Sequence, residues 1–161
     1  FEDPNPVLFF EHKALYRSLS ESVPDDYYTL PIGKARKVSS GDQVSIITYG
    51  MGVHWATNVC QELKIEADII DLRSLAPLDW ATIENSVKKT NKVLVLHEDN
   101  LTGGIGGEIA AYISEHLFEY LDGPVKRVAS IDTPIPFAKP LEEQYLPVNR
   151  LKEELLTLVA Y

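Results

Sequence analysis

The 161-residue chain carries 15 Lys and Arg against 24 Asp and Glu, a net charge of −9, and 45% of its residues are hydrophobic. That length suits one domain with a short appendage, and the composition excludes disorder over most of it. The acidic balance excludes the basic patch that a nucleic-acid or anionic-membrane surface requires, while suiting a basic partner. Cys60 is the single cysteine, so an internal disulfide framework and a Cys-rich zinc site are both excluded, and a reducing, cytoplasmic setting is expected. No apolar stretch approaches the ~20 residues of a membrane span. The N-terminus lacks the basic-then-apolar order of a signal peptide. It opens on Phe1-Glu2-Asp3-Pro4 rather than Met, and the chain is expected to be part of a longer polypeptide.

Residues 1–33 differ from the rest. A strand-like run, Val7–Phe10, precedes a polar helix-like stretch and the loop Val23–Tyr28, and Pro31-Ile32-Gly33 punctuates the end. One strand cannot satisfy its own backbone groups, so this segment is expected to be the tail of a preceding domain plus a linker. From residue 34 to 161 the pattern is regular. Val44–Tyr49 reads as a buried strand, Gly50-Met51-Gly52 as a tight turn, and Val53–Leu63 as a helix with Val53, Ala56, Val59, Cys60 and Leu63 on one face. Ala67–Leu72 is a second strand, and Asp79 is placed to cap a helix over Trp80–Lys89. Lys92–His97 is a third strand. A glycine-rich turn leads into a helix expected over Glu108–Leu121, and Val125–Ile131 is a fourth strand. A proline-rich loop, Thr133–Pro147, precedes a last helix at about Asn149–Val159. Strands alternating with helices, and strands apolar on both faces, predict an α/β domain with a mostly parallel sheet covered on both sides.

Four features carry candidate chemistry. Gly103-Gly104-Ile105-Gly106-Gly107 follows a strand and opens a helix, where backbone amides can cradle phosphate. It departs from the dinucleotide fingerprint, because the third glycine position counted from Gly104 holds Ile109, and no Gly-Lys-Ser/Thr follows. The alternative is that these glycines let the helix start close under the sheet and take unusual backbone angles. His97 and Glu98 end the third strand, where open α/β sheets bind ligands, and a His beside a carboxylate can work as an acid–base pair. A buried structural His with one ring nitrogen bonded to a backbone carbonyl is the competing reading. Asp71 and Arg73 read as a turn-holding pair. Glu115, Glu119 and Asp122 are spaced by four and three, so one helical face would show all of them, as a solvated face or as a docking patch for a basic partner. No metal-ligand spacing of histidines occurs.

Several stretches, taken in order, resemble one family: Phe9-Phe10-Glu11-His12-Lys13-Ala14-Leu15-Tyr16, Thr48-Tyr49-Gly50, Ile70-Asp71-Leu72-Arg73-Ser74-Leu75-Ala76-Pro77-Leu78-Asp79, His97-Glu98 with Thr102-Gly103-Gly104, and Asp132-Thr133-Pro134-Ile135-Pro136 with Leu146-Pro147. They resemble the carboxyl-terminal part of the β subunit, or β portion of a fused chain, of thiamine-diphosphate-dependent 2-oxo acid dehydrogenases. The branched-chain type looks closer than the pyruvate type. Transketolase and deoxyxylulose-phosphate synthase, which share the fold, lack the His-Glu and Asp-Thr-Pro combination.

The resemblance implies a three-layer α/β/α domain of the transketolase carboxyl-terminal type with a five-stranded, mostly parallel sheet. The fifth strand is expected near Ala35–Val38 or late in the chain. Residues 1–33 would be the last strand of a pyrimidine-binding domain plus its connector. The implied chemistry is decarboxylation of a 2-oxo acid on thiamine diphosphate with Mg2+ and acyl transfer to a lipoyl group. The cofactor and metal ligands are expected outside these residues, so no catalytic residue is carried over. The implied role is assembly with an α subunit or α portion and a second β copy. It also includes docking of the acyltransferase core's basic subunit-binding domain, on Asp122 and the carboxylate of Tyr161, extended by Glu119 and Glu115. His97, Glu98, Gly103 and Gly104 are the candidates for a sheet-edge or interface contact. The competing functions are a phosphate-ligand module on the Gly103–Gly107 turn and a separate enzyme using His97 and Glu98.

Overall fold

The computed structural model describes residues 2–161. Five strands form one sheet: β1 (Arg36–Ser39), β2 (Val44–Thr48), β3 (Ala67–Asp71), β4 (Val93–Asn100) and β5 (Lys126–Ser130). Their order is β1-β3-β2-β4-β5, with β1 antiparallel to β3 and every other pair parallel. The fifth strand is therefore the one expected near Ala35, and it sits at an edge, where its half-exposed residues cost little. The helices are α1 (Leu15–Ser18), α2 (Met51–Leu63), α3 (Trp80–Thr90), α4 (Gly106–His116), α5 (Lys139–Tyr145) and α6 (Val148–Val159).

Strand alternation sorts the core into two layers. Val44, Ile46, Leu94 and Leu96 point to one face and pack with Ala56 and Val59 of α2 and Leu151, Leu155 and Leu158 of α6. Ile47, Val93 and Val95 point to the other and pack with Ile83 and Val87 of α3 and Ile109 and Ile113 of α4. The three α6 leucines recur at spacings of four and three and are fully buried. Each stabilises the fold by roughly 1.5–3 kcal/mol relative to exposure. Asp79 caps α3 by accepting from the Thr82 backbone N–H at 3.3 Å, and Asn91 ends it in the left-handed region with φ of 60°.

The amino ends of the strands are sealed by a buried polar network. The Asp68 carboxylate accepts from Lys37 Nζ at 2.8 Å, Lys89 Nζ at 2.6 Å, the Gly41 N–H at 3.0 Å and Ser86 Oγ at 3.0 Å. Ser45 Oγ continues the network to Ser86 at 2.6 Å and Thr90 at 2.7 Å. Burial works to raise the Asp68 pKa, but the two lysines and the two further donors outweigh it and bring it down to about 2.

Four expectations are corrected. The helix expected over Glu108–Leu121 ends at His116, because Leu117 leaves helical geometry with φ of −128° as its side chain turns into the core. A short 3-10 turn, Phe118–Tyr120, follows it. The stretch Thr133–Pro147 is not all loop, since α5 forms with Pro140 in its first turn. Met51 and Gly52 belong to α2 rather than to a turn, with Gly50 ahead of them at φ of 56°. Val7–Phe10 makes no strand among the described residues; Phe9 and Phe10 are 83% and 88% exposed.

Candidate functional site

The chain leaves β2 toward β3 on one side and leaves β4 toward β5 on the other. The carboxyl ends of β2 and β4 are thus the switch point at which open α/β sheets take ligands. His97 stands there, fully enclosed, at the end of the buried run of β4. Its ring fills the space under the start of α4. A Cβ on Gly104 would lie 2.5 Å from Cε1, and one on Gly106 would lie 2.5 Å from Nε2. Gly103 takes φ of 79° to bring the chain round. The glycine turn is therefore shaped around an imidazole.

Both ring nitrogens of His97 are buried and neither makes a well-formed hydrogen bond, although the Asp99 backbone lies close enough to favour the protonated ring. Burial pushes the imidazole below its ordinary pKa; Asp99 opposes this through its charge and backbone, and Arg127 adds to it. His97 is thus enclosed by the fold, and burial disfavours its charged form. Nor do His97 and Glu98 pair, because successive residues of a strand face opposite sides. Glu98 Oε2 instead lies 2.8 Å from Nε2 of His12, which arrives from the N-terminal segment. The half-buried Tyr49 completes this end: burial first, then the Asp99 and Glu98 charges, push its phenol upward. Tyr49 and His12 stood in the sequence only as parts of the stretches that carry the family resemblance, not as site residues, and Asp99 was not singled out; its adjacency to Glu98 was the one signal for it.

The second group of predicted residues lies at the opposite, amino end of the sheet. Asp122 is exposed, and its backbone N–H donates to the Asn91 carbonyl at 2.8 Å, while Asn91 Nδ2 donates to the Tyr120 carbonyl at 2.6 Å. The Tyr161 ring lies over Gly123, 3.3 Å from where a Cβ would stand. The Tyr161 ring thus lies against the residue that follows Asp122. Glu119 is exposed on the 3-10 turn and Glu115 on the last turn of α4. Because α4 stops at His116, these carboxylates do not share one helical face as the spacing predicted. Lys126 interrupts the acidic surface and is matched by Glu154 at 2.8 Å.

Among the described residues, no three His, Cys, Asp or Glu side chains gather to hold a metal ion. The one glycine-rich helix start is filled by His97. No helix among the described residues is long and apolar enough to cross a membrane. Asp71 and Arg73 hold the turn after β3: the Arg73 N–H donates to Asp71 Oδ1 at 3.3 Å, and Arg73 Nη2 to the Lys34 carbonyl at 3.0 Å.

Known proteins are similar along most of this length. The chain is 47% identical over 156 residues to the 2-oxoisovalerate dehydrogenase subunit beta of Bacillus subtilis, covering 94% of this chain and 47% of that protein. It is 42% identical over 149 residues to the acetoin:2,6-dichlorophenolindophenol oxidoreductase subunit beta of the same organism, covering 91% and 43%. It is 44% identical over 144 residues to the pyruvate dehydrogenase E1 component subunit beta of Porphyra purpurea, covering 88% and 43%. The chain thus spans about half the length of the curated relatives it matches. A solved split-gene transketolase, an inactive β4 tetramer, superposes with a TM-score of 0.70 at 25% identity, covering 88% of this chain and 46% of that one. Residues 33–150 match the family described as transketolase, C-terminal domain, and with the sheet order and helix layers above, the chain belongs to that family.

Proposed function

We propose that this chain is the carboxyl-terminal lobe of the β subunit, or β portion, of a thiamine-diphosphate-dependent 2-oxo acid dehydrogenase, and that its own task is assembly. It meets an α chain and a second β copy and docks the acyltransferase core, while decarboxylation of pyruvate or a branched-chain 2-oxo acid takes place on other polypeptide. The observation that carries this reading is the 47% identity to a 2-oxoisovalerate dehydrogenase subunit beta along 94% of the chain. Residues 1–33 are then the end of a pyrimidine-binding domain and its connector. Thiamine diphosphate and Mg2+ sit outside this lobe. A cytoplasmic location belongs to the same reading, and buried Cys60, whose thiol burial pushes up to about 11, is compatible with it.

The docking reading draws on exposed Asp122, whose neighbour Gly123 lies against the Tyr161 ring, and on exposed Glu119 and Glu115. A basic three-helix domain meeting this surface is steered by opposite charge. Titration calorimetry of such a domain against the chain should show binding that weakens with added salt. Asp122→Lys should weaken it by about tenfold, the equivalent of about 1.4 kcal/mol. Unchanged affinity removes the docking assignment. Carbon dioxide release by the 161-residue chain, given only substrate, thiamine diphosphate and Mg2+, removes the assembly reading itself.

A further inference from the structure

The turn between β4 and α4 is shut on a group that titrates. His97 is fully enclosed beneath it, with Gly104 and Gly106 as the lid, and neither ring nitrogen makes a well-formed hydrogen bond. Burial is the strongest influence against the charged ring; the Asp99 charge and backbone favour it, and Arg127 of β5 opposes it. The turn and the start of α4 meet the ring through glycine, and Glu108 is exposed. Tyr49 at the end of β2 keeps its proton well above neutral pH, and Glu98 is turned away to His12. A proton on the closed ring therefore puts a positive charge where no full set of acceptors waits, which is costly.

The lid itself is lightly held. From Leu101 to Gly106 only the two glycines at 104 and 106 are buried; Leu101 and Ile105 are half-buried, and Thr102 and Gly103 are exposed. Lifting this stretch uncovers little apolar surface, whereas Val93–Leu96 of β4 and Ile109 and Ile113 of α4 are buried on either side of it. Its polar ties are few. The Leu101 N–H donates to the Ser130 carbonyl at 3.1 Å, and Arg127 Nη1 donates to the Leu101 carbonyl at 3.3 Å. The Thr102 N–H and Oγ1 donate to Asp132 at 2.9 and 2.7 Å. Those two bonds hold the Asp132 carboxyl below its ordinary value, so this clamp keeps its charge in mild acid while the ring changes. Opening the lid is thus a less costly way of wetting a charged ring than unfolding the sheet.

We propose that His97 is a proton-operated latch: in mild acid the ring takes up a proton from solvent as the lid from Leu101 to Gly106 lifts, while the sheet and α4 stay folded. The device belongs to this chain's own fold and goes beyond its proposed role in assembly. Lifting the lid frees Thr102 from Asp132 and Leu101 from Ser130, so the start of the β5–α5 connection loosens in the same step. Native-state hydrogen exchange of the 161-residue chain, read by NMR between about pH 7.5 and 5.5 and corrected for the intrinsic pH dependence of exchange, tests it. The Leu101 and Thr102 amides should be less protected than those of β2 throughout. Their protection should fall by up to about tenfold per pH unit below about 6.5. His97→Gln should abolish that slope, and His12→Gln, which removes the other histidine at this end, should leave it intact. Lid protection that ignores pH overturns the proposal, because the lid then moves without the ring. Lid protection equal to that of β2 at every pH also overturns it, because only global unfolding then exposes the ring. Both of these outcomes are read from the parent chain and need no substituted protein to fold. A slope that survives His97→Gln, or one that His12→Gln removes, overturns it too. Slow exchange of β2 near neutral pH checks that each variant keeps the fold.

Discussion

The two ends of the sheet are closed by opposite means. At the amino end, Asp68 is fully buried yet every charge and hydroxyl around it is matched, by Lys37, Lys89, Ser86, Ser45 and Thr90. At the carboxyl end, the His97 nitrogens and the Thr48 hydroxyl are buried without partners, and closure depends on glycines that admit the ring. A satisfied network tolerates small shifts, because hydrogen bonds re-form. A ring packed against backbone does not, because overlap rises steeply. The carboxyl end, where this fold class usually keeps a crevice, is thus the more brittle of the two.

That contrast breaks most sharply at Gly106. Its added Cβ in Gly106→Ala meets Nε2 of a ring that has nowhere to go. Denaturant unfolding should show a loss of about 3 kcal/mol. In a His97→Ala background the same substitution should cost less than about 1 kcal/mol, because the obstruction is gone. Gly103→Ala separates strain from overlap: it has φ of 79° but open space around the Cβ position. It should cost only about 1 kcal/mol. Equal costs at Gly103 and Gly106 would mean that backbone conformation, not the ring, governs this turn.

The two ends should also separate along the pH axis. Asp68 has a folded pKa of about 2 against an ordinary 3.8, so its stabilisation is complete above the ordinary value and is lost as pH falls from there toward 2. The linkage amounts to about 2 kcal/mol, and Asp68→Asn should remove that acid limb while also stranding two lysines. His97 is shifted below its ordinary 6.5 by burial, so the unfolded chain binds the proton first. Stability should therefore decline as pH drops below 6.5, with a slope of at most about 1.4 kcal/mol per pH unit, and His97→Gln should flatten that part of the curve. Unfolding curves between pH 8 and about 2 for the three proteins read both limbs. A His97→Gln curve parallel to the parent would mean that the buried ring is not the group titrating.

Much of the scaffold was legible in the residues. Val93–Leu96 and Val44–Ile47 could only be strands covered on both faces, and the Asp79 cap of α3 was visible as a local signal. What was not legible depended on distant packing. The apolar rhythm runs on through Leu117 and Leu121, so the helix was extended past His116; only the core shows that Leu117 turns inward. The prolines of Thr133–Pro147 hid α5, although Pro140 stands where a helix accepts it. Val7–Phe10 has the composition of a strand, but strand formation needs a neighbouring strand. At the site, the glycines announced a close approach without saying to what. The answer was a side chain seven residues upstream of Gly104; the family resemblance grouped the two, but no hydrophobic period or spacing rule said that one fills the other.

The smallest effect belongs to the contact that ties the N-terminal segment to the brittle end. His12 Nε2 and Glu98 Oε2 lie 2.8 Å apart, both partly exposed. Pairs in that setting contribute about 0–1 kcal/mol, since solvent screens them and ordering two side chains opposes them. Residues 2–33 bury little of their own apolar surface, so the pair is a large share of what holds them down. His12→Gln should shift global unfolding by less than about 0.5 kcal/mol. It should nevertheless speed limited proteolysis within residues 2–33 several-fold, because local release draws on a small free energy and does not require the sheet to open. Glu98→Gln should do the same, and the double variant should add little to either. Additive effects would show that the two side chains act on the segment separately, and that the carboxyl end of β4 is not where it is held.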